Sequence, residues 1–292
     1  MPELPEIETL RRGLTEHVIG RTVSSVELRL PKLVAQGSVD ALTGGTITAV
    51  SRRAKHLLLE TDRSAVLAHL SLAGQILVRD ADDTTLVAGG HPVPRFDAPM
   101  PHRSTHLLVT LDGGATLYLT DIRHFARIWI MPIDEAESRL ASLGLGPEPL
   151  DARFTRKTLE EALRGRRRPL KPTLLDQSLV AGLGNIYVDE ALWRARLTPE
   201  RPAGSLDGNE IVRLHRAIRG VLRHAVTEGV AQVLDGRALP GTSFPSVHGR
   251  EGQPCPRCRA IIVKSRIGGR GTYTCPRCQS APSTVSRSVS AE

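Results

Sequence analysis

All four cysteines of this 292-residue chain fall in two identical knuckles, Cys255-Pro-Arg-Cys258 and Cys275-Pro-Arg-Cys278, with sixteen residues between them. Two Cys-x-x-Cys pairs at this spacing place four thiolates around one ion. Four sulfur donors suit tetrahedral Zn²⁺ and leave no open coordination position, so one structural Zn²⁺ is expected rather than a catalytic one. The metal would fold a two-stranded hairpin, residues 261–263 and 272–274, that is too small to be stable alone. Arg270 would project from its turn. Fingers of this form bind nucleic acid or protein, so the knuckles alone select neither. Disulfide pairing is the competing arrangement. The first twelve residues are acidic and broken by proline, unlike a secretion signal, and point to a cytoplasmic protein with reduced thiols. No stretch approaches a transmembrane helix in length and apolarity, so no membrane partner is expected.

Lys and Arg outnumber Asp and Glu by 39 to 31, a formal net charge of +8 that suits a polyanionic partner. Arg164, Arg166, Arg167, Arg168 and Lys171 form one cluster, and Arg257, Arg259, Lys264, Arg266 and Arg270 form another. A single basic run is usually a solvated face. Two runs beside recognisable motifs argue for phosphate contacts. Aromatic residues are only 3% of the chain, against a stacking platform for single strands. Phe125, flanked by Arg123 and His124, is the best-placed ring.

The chain opens Met-Pro-Glu-Leu-Pro-Glu. A small second residue normally allows removal of the initiator methionine, which would leave Pro2 as a secondary amine. An α-amino group titrates near 8, well below lysine, so a useful fraction is nucleophilic at neutral pH. Such an amine can attack an aldehyde-like carbon, and Glu3 is placed to move the proton. Taken alone, Pro2 and Pro5 read as helix-start prolines ahead of Ile7, Leu10, Leu14 and Val18, and for Pro5 that reading is preferred.

Short β-type runs follow at 23–30, 46–51, 57–61, 65–70, 75–78, 106–111, 116–120 and 127–131, separated by turn residues such as Gly44-Gly45 and Asp112-Gly113-Gly114. They predict a β-sandwich or barrel-like domain capped by the N-terminal helix. The Pro-, Gly- and Asp-rich stretch 79–104 reads as a mobile loop or insertion. After a link near 143–150, helical spacing appears at 157–164, 172–177, 186–195 and 208–228. In Gly182-Leu-Gly184-Asn185, Asn185 is a favoured N-cap. The helix start would seat an anion, with a DNA phosphate as the sensible occupant and an ordinary capped helix as the alternative.

The blocks MPELPEIETLRRGL, RRAKHLLLE, LLDQSLVAGLGNIYVDEALW and HGREGQPCPRC with RGTYTCPRCQ, in this order from residue 2 to 279, resemble the bacterial formamidopyrimidine-DNA glycosylase family. The resemblance implies an α+β multidomain protein: an N-terminal β-sandwich with a capping helix (1–133), a linker (134–150), a helix-two-turns-helix domain (151–235), a C-terminal four-cysteine zinc finger (245–279) and a disordered tail (280–292). It implies a bifunctional DNA glycosylase and AP lyase on damaged double-stranded DNA, removing ring-opened purines or 8-oxoguanine. Pro2 matches the nucleophile, Glu3 the acid/base, Lys55 a hairpin proton donor and phosphate contact, and Arg270 a phosphate contact tied to the last elimination. Asn185 and Arg167 match DNA-backbone positions, and Lys171 a lysine near the lesion. Leu72, Arg123 and Phe125 match the three groups that fill the hole left by a flipped base.

Several positions depart from the family pattern. Leu72 stands where methionine is usual. Asp121-Ile-Arg-His-Phe-Ala126 replaces Asp-Pro-Arg-Arg-Phe-Gly, and Ser104 replaces a DNA-contacting histidine that His102 or His106 would substitute. The Gly-Gly-Ser/Thr-Thr-Leu-Arg-Asp signature of a loop closing over 8-oxoguanine is missing from 227–240, which puts base preference, including a shift toward oxidised pyrimidines, in question. A catalytically silent damage binder and a Zn-ribbon regulator are the rival classes. Pro2, Glu3 and Lys55 together favour the enzyme, with a monomer as the simplest state.

Overall fold

The structure, a computed structural model, describes residues 1–227 and 244–280. Helix α1 (Leu4–Val18) starts with Pro5 in its first turn and buries Ile7, Leu10, Leu14 and Val18 along one stripe. Each such side chain stabilises the fold by roughly 1.5–3 kcal/mol. Ten strands follow: β1 (Val23–Leu28), β2 (Val34–Gln36), β3 (Ile47–Arg53), β4 (His56–Thr61), β5 (Ala65–His69), β6 (Gly74–Arg79), β7 (Thr85–Gly90), β8 (Thr105–Leu111), β9 (Thr116–Asp121) and β10 (Arg127–Met131). They form two five-stranded sheets, ordered β1-β8-β9-β6-β7 and β2-β10-β5-β4-β3. The inner faces of both sheets and the apolar stripe of α1 share one core. This is the expected sandwich.

Two differences from the expected pattern have physical causes. Strand β7 lies within the stretch read as a mobile loop. Its Gly89 allows α1 to come so close that a Cβ there would sit 2.6 Å from Leu10 Cγ. Glycine disguises a strand in sequence because it supplies no apolar alternation. Helix α2 (Ile133–Ser142) occupies much of the segment expected as linker and buries Ala136 against β5 and β10 residues Ala65, Leu67 and Met131.

The helical part comprises α3 (Arg156–Leu163), α4 (Leu170–Leu174), α5 (Asn185–Ala195) and α6 (Gly208–Thr227) around a second core. Thr155 caps α3 by accepting the Thr158 N–H at 3.2 Å. The finger hairpin is longer than expected, β11 (Val263–Ile267) paired with β12 (Arg270–Thr274) across Gly268-Gly269. Apart from Thr227, the departure at 227–240 lies outside the described residues, as does the tail from 281.

Candidate active site and metal centre

The N-terminal segment enters the helical part at the start of α5. Leu4 N–H donates to Gly182 O at 3.1 Å. The Glu3 carboxylate, 1% exposed, accepts the backbone N–H groups of Ile186 at 2.9 Å and Tyr187 at 3.4 Å. Gly184 makes this possible, since a Cβ there would lie 2.2 Å from Glu3 Cδ. The helix start is therefore an anion seat, as its sequence indicates, but the anion is Glu3 and not a DNA phosphate. The cap is Gly184, not Asn185. Asn185 turns its Nδ2 to Gly271 O on the finger, 3.0 Å away, and its buried Oδ1 has no hydrogen-bond partner.

Glu6 stands behind Glu3. It accepts the Glu3 N–H at 2.8 Å and the Tyr187 hydroxyl at 2.6 Å. Burial, reinforced by the neighbouring Glu3 charge, pushes the Glu6 carboxyl up to about 7.

Two cavities meet at Met1. One, of about 490 Å³, is lined by Pro2, Glu3, Glu6, Leu72, Asn185, His248 and Arg270. The other, of about 240 Å³, is lined by Lys55, His56, His69, Asn185 and Arg270. Met1 lines both and is 40% exposed, whereas Pro2 is buried beneath it. With Met1 in place the Pro2 nitrogen is an amide.

Lys55 sits in the β3–β4 turn, which is pinned from behind. Ala54, at φ +53°, donates its N–H to Glu148 Oε1 at 2.6 Å, and Glu148 also pairs with Arg52 at 2.5 Å and Arg53 at 2.9 Å. Burial lowers the Lys55 ammonium from its usual value, against the pull of Glu3 and Glu6. Beside it, His56 and His69 lie with ring centroids 4.6 Å apart, and burial brings each down to about 4, so both are neutral at pH 7.

The β9–β10 loop is built on buried Asp121, whose carboxylate accepts the N–H groups of Arg123, Phe125 and Ala126 at 2.7–2.8 Å. The loop thrusts Phe125 outward, 47% exposed, with the Arg123 guanidinium 5.4 Å from its ring. Neither residue lines the cavities; they form a separate apolar and cationic tip. His106 does not replace the missing DNA-facing histidine: it is 5% exposed and bonds Asp121 O at 2.8 Å. His102, half-buried, is engaged with the Ser104 N–H. Arg167 is exposed in the α3–α4 turn, away from both cavities.

Lys171, expected near the lesion, lines neither cavity. It is fully buried, paired with Asp189 at 2.7 Å and donating to Gly271 O at 2.8 Å. An alternation of charge and apolar residues in Leu170-Lys171-Pro172 gives no sign that the ammonium turns inward.

In the finger, the four Sγ atoms lie within 4.8 Å of one another, with Cys255–Cys278 at 4.0 Å and Cys258–Cys275 at 3.3 Å. A tetrahedral ZnS₄ centre with bonds of about 2.3 Å needs sulfurs about 3.8 Å apart, so the donor set fits and holds one structural Zn²⁺.

Residues 1–128 match the formamidopyrimidine-DNA glycosylase N-terminal domain, 145–235 the formamidopyrimidine-DNA glycosylase H2TH domain, and 252–281 the zinc finger found in FPG and IleRS. Formamidopyrimidine-DNA glycosylase of Pelotomaculum thermopropionicum is 40% identical, covering 96% of this chain and 99% of that protein. The chain belongs to the formamidopyrimidine-DNA glycosylase family. A Roseiflexus formamidopyrimidine-DNA glycosylase is likewise 40% identical over 96% of this chain and all of its own. Among solved structures, Lactococcus lactis Fpg with abasic-site DNA superposes with a TM-score of 0.83 at 34% identity, over 96% of this chain and 100% of that one. Glu6 and His248, which line the larger cavity, and Glu148, which holds the Lys55 turn, are given no role by the sequence alone.

Proposed function

We propose that this base-excision DNA glycosylase cuts through the nitrogen of Pro2, freed by removal of Met1, on duplex DNA carrying ring-opened or oxidised bases such as FapyG and 8-oxoguanine. The carrying observation is the setting of Pro2. It is buried on the wall of a 490 Å³ cavity, one residue from a carboxylate held by the first turn of α5. The amine attacks C1′ and the base departs with the electron pair of the glycosidic bond. Glu3 takes the proton from the nitrogen and returns it to the sugar ring oxygen as the ring opens, which leaves an iminium at C1′. The iminium acidifies the C2′ hydrogens, so β-elimination and then δ-elimination break the strand on both sides of the sugar.

Lys55 and Arg270 face the second cavity together, where they would hold flanking phosphates and donate protons. Asn185 supports the Arg270 hairpin through Gly271 O, and Arg167 adds a backbone contact from its exposed turn. Leu72 lines the larger cavity, and Arg123 with Phe125 forms the separate tip; these are the groups that would fill the stack when the base leaves. Lys171 acts at one remove, through Gly271. One chain supplies both walls, so a monomer acting in the cytoplasm is the proposed form.

A second substrate reading, toward oxidised pyrimidines, is favoured by the missing capping signature. Lactococcus lactis Fpg has been solved with DNA containing an oxidised pyrimidine as well as with Fapy-dG DNA.

Borohydride trapping tests the proposal on duplexes bearing 8-oxoguanine, ring-opened guanine, an oxidised pyrimidine or an abasic site. A covalent adduct mapping to Pro2 is expected, and its relative yield ranks the lesions. Tight binding with no adduct on any duplex, or an adduct on Lys55, would overturn the assignment. Material that retains Met1 should bind and fail to trap.

A further inference from the structure

His248, the first residue of the block HGREGQPCPRC, lines the main cavity with Pro2, Asn185 and Arg270. Its Nδ1 is 2.8 Å from Oδ2 of Asp189, a carboxylate with no exposure to solvent. Its backbone is fixed too, since Glu190 accepts the N–H groups of Ser246, Val247 and His248 at 2.8–2.9 Å. The Tyr273 ring meets the imidazole edge-on, centroids 4.7 Å apart. With Nδ1 tied to the carboxylate, Nε2 is the remaining ring nitrogen, and among the described residues no protein group bonds to it. An imidazole oriented by a buried carboxylate, with its second nitrogen left for a cavity, is arranged to move a proton.

The charges around it allow release of that proton. Asp189 Oδ1 is 2.7 Å from Lys171 Nζ, and Oδ2 also accepts the Tyr273 N–H at 3.2 Å. Lys171 therefore balances Asp189 when the imidazole is neutral. Behind the backbone lies Glu190 of α5, and around the same cavity stand Arg270 of the finger, His91 after β7, and Glu3 and Glu6 of the N-terminal segment. The only guanidinium among these cavity groups is that of Arg270, the natural seat for a phosphate beside Nε2.

We infer that His248 is a further catalytic residue, whose Nε2–H protonates the phosphate oxygen expelled at the first strand break. The inference rests on the Pro2 reading, which supplies the iminium. Glu3 removes a proton from C2′, and that C–H electron pair forms the C2′=C3′ bond. The C3′–O bond breaks, its pair stays on the phosphate oxygen, and that oxygen takes the proton from Nε2. Solvent reprotonates the imidazole.

The test uses the zinc-loaded chain without Met1 on an abasic duplex, comparing the parent with His248→Gln. Borohydride trapping reports the iminium, and strand scission without borohydride reports the elimination. Trapping should stay close to the parent, while scission falls on the order of 100-fold. A duplex with sulfur bridging C3′ and phosphorus has a leaving group that needs no proton, and on it the deficit of the variant should largely vanish. Scission at the parental rate, or an equal deficit with oxygen and sulfur, would overturn the assignment. So would a parallel fall in trapping. Should His248→Gln lose zinc, the parent decides alone: its scission must be less pH-dependent on the sulfur duplex than on the oxygen one. A parent that never traps removes the Pro2 reading first and this one with it.

Discussion

Lys55, Arg123 and Phe125 stand on sandwich turns whose backbone is gripped by one buried carboxylate, Glu148 or Asp121, whereas Asn185, His248 and Arg270 stand where helix and finger are joined by buried charges. On the sandwich side the carboxylates bond N–H groups and leave the side chains at the tip uncommitted. At the helix–finger joint the side chains themselves make the bonds, Lys171 and Asn185 both reaching Gly271 O on the hairpin that carries Arg270. The difference separates stability from activity. A tip can be altered with little consequence for folding, but a change at the joint moves both the fold and the groups aimed at DNA.

The largest expected effect falls on the joint. In Lys171→Met the ammonium is lost, Asp189 keeps only His248 and the Tyr273 N–H, and Gly271 O loses one of two donors. Stranding a fully buried carboxylate costs about 3 kcal/mol or more. Urea unfolding should register that loss, and duplex affinity should fall with it because the Arg270 hairpin loosens. If Lys171→Met unfolds like the parent but loses discrimination among lesions, the lysine reaches the base after all, and the contrast between joint and tip fails.

How much of this could be read beforehand differs between the same two regions. The four-thiolate centre, the α1 stripe and most sandwich strands follow from local pattern, because knuckle spacing and apolar periodicity are properties of neighbouring residues. Pro2, Glu3, Asn185 and Arg270 were legible as a group only through motif resemblance, and the structure brings them to one cavity. What escaped were long-range partners. Nothing near Gly182-Leu-Gly184 says that a carboxylate 183 residues before Ile186 will take the α5 start, nor does Lys171 announce a bond to a carbonyl 100 residues later. Exposed placement was the default for a lysine in a basic cluster, and burial reverses it.

A smaller, pH-dependent effect belongs to Glu6, which sits where the two regions touch. Its carboxyl, near 4.5 in the unfolded chain, is raised to about 7 by burial and by Glu3. Between those values the folded state binds more protons than the unfolded state, so this group's contribution is full below about 4.5 and is lost as pH rises through 7. Glu6→Gln deletes that dependence, at the cost of one of the two bonds Glu6 accepts. The stability gap between parent and variant should therefore narrow by roughly 1–3 kcal/mol from pH 5 to pH 8. Thermal unfolding at both pH values checks it, and a constant gap would mean that Glu6 is ionised throughout.

The smallest effect on folding, and the clearest view of the other side, comes from Phe125→Ala. Phe125 is 47% exposed and contributes no N–H to the core beyond the one that Asp121 accepts, which alanine retains. Its removal should leave unfolding within about 0.5 kcal/mol of the parent. On DNA the ring is expected to stack in the space a flipped nucleotide vacates, a contact worth about 1 kcal/mol or a little more, so affinity for a lesion duplex should drop roughly fivefold or more. Undamaged duplex, which has no such space, should be bound almost as before. Fluorescence of 2-aminopurine opposite or beside the lesion separates flipping from simple binding, because a lost wedge lowers the flipped population at saturating protein. Equal losses on damaged and undamaged duplexes would reduce Phe125 to a general contact, and the loop on Asp121 to a scaffold for Arg123 alone.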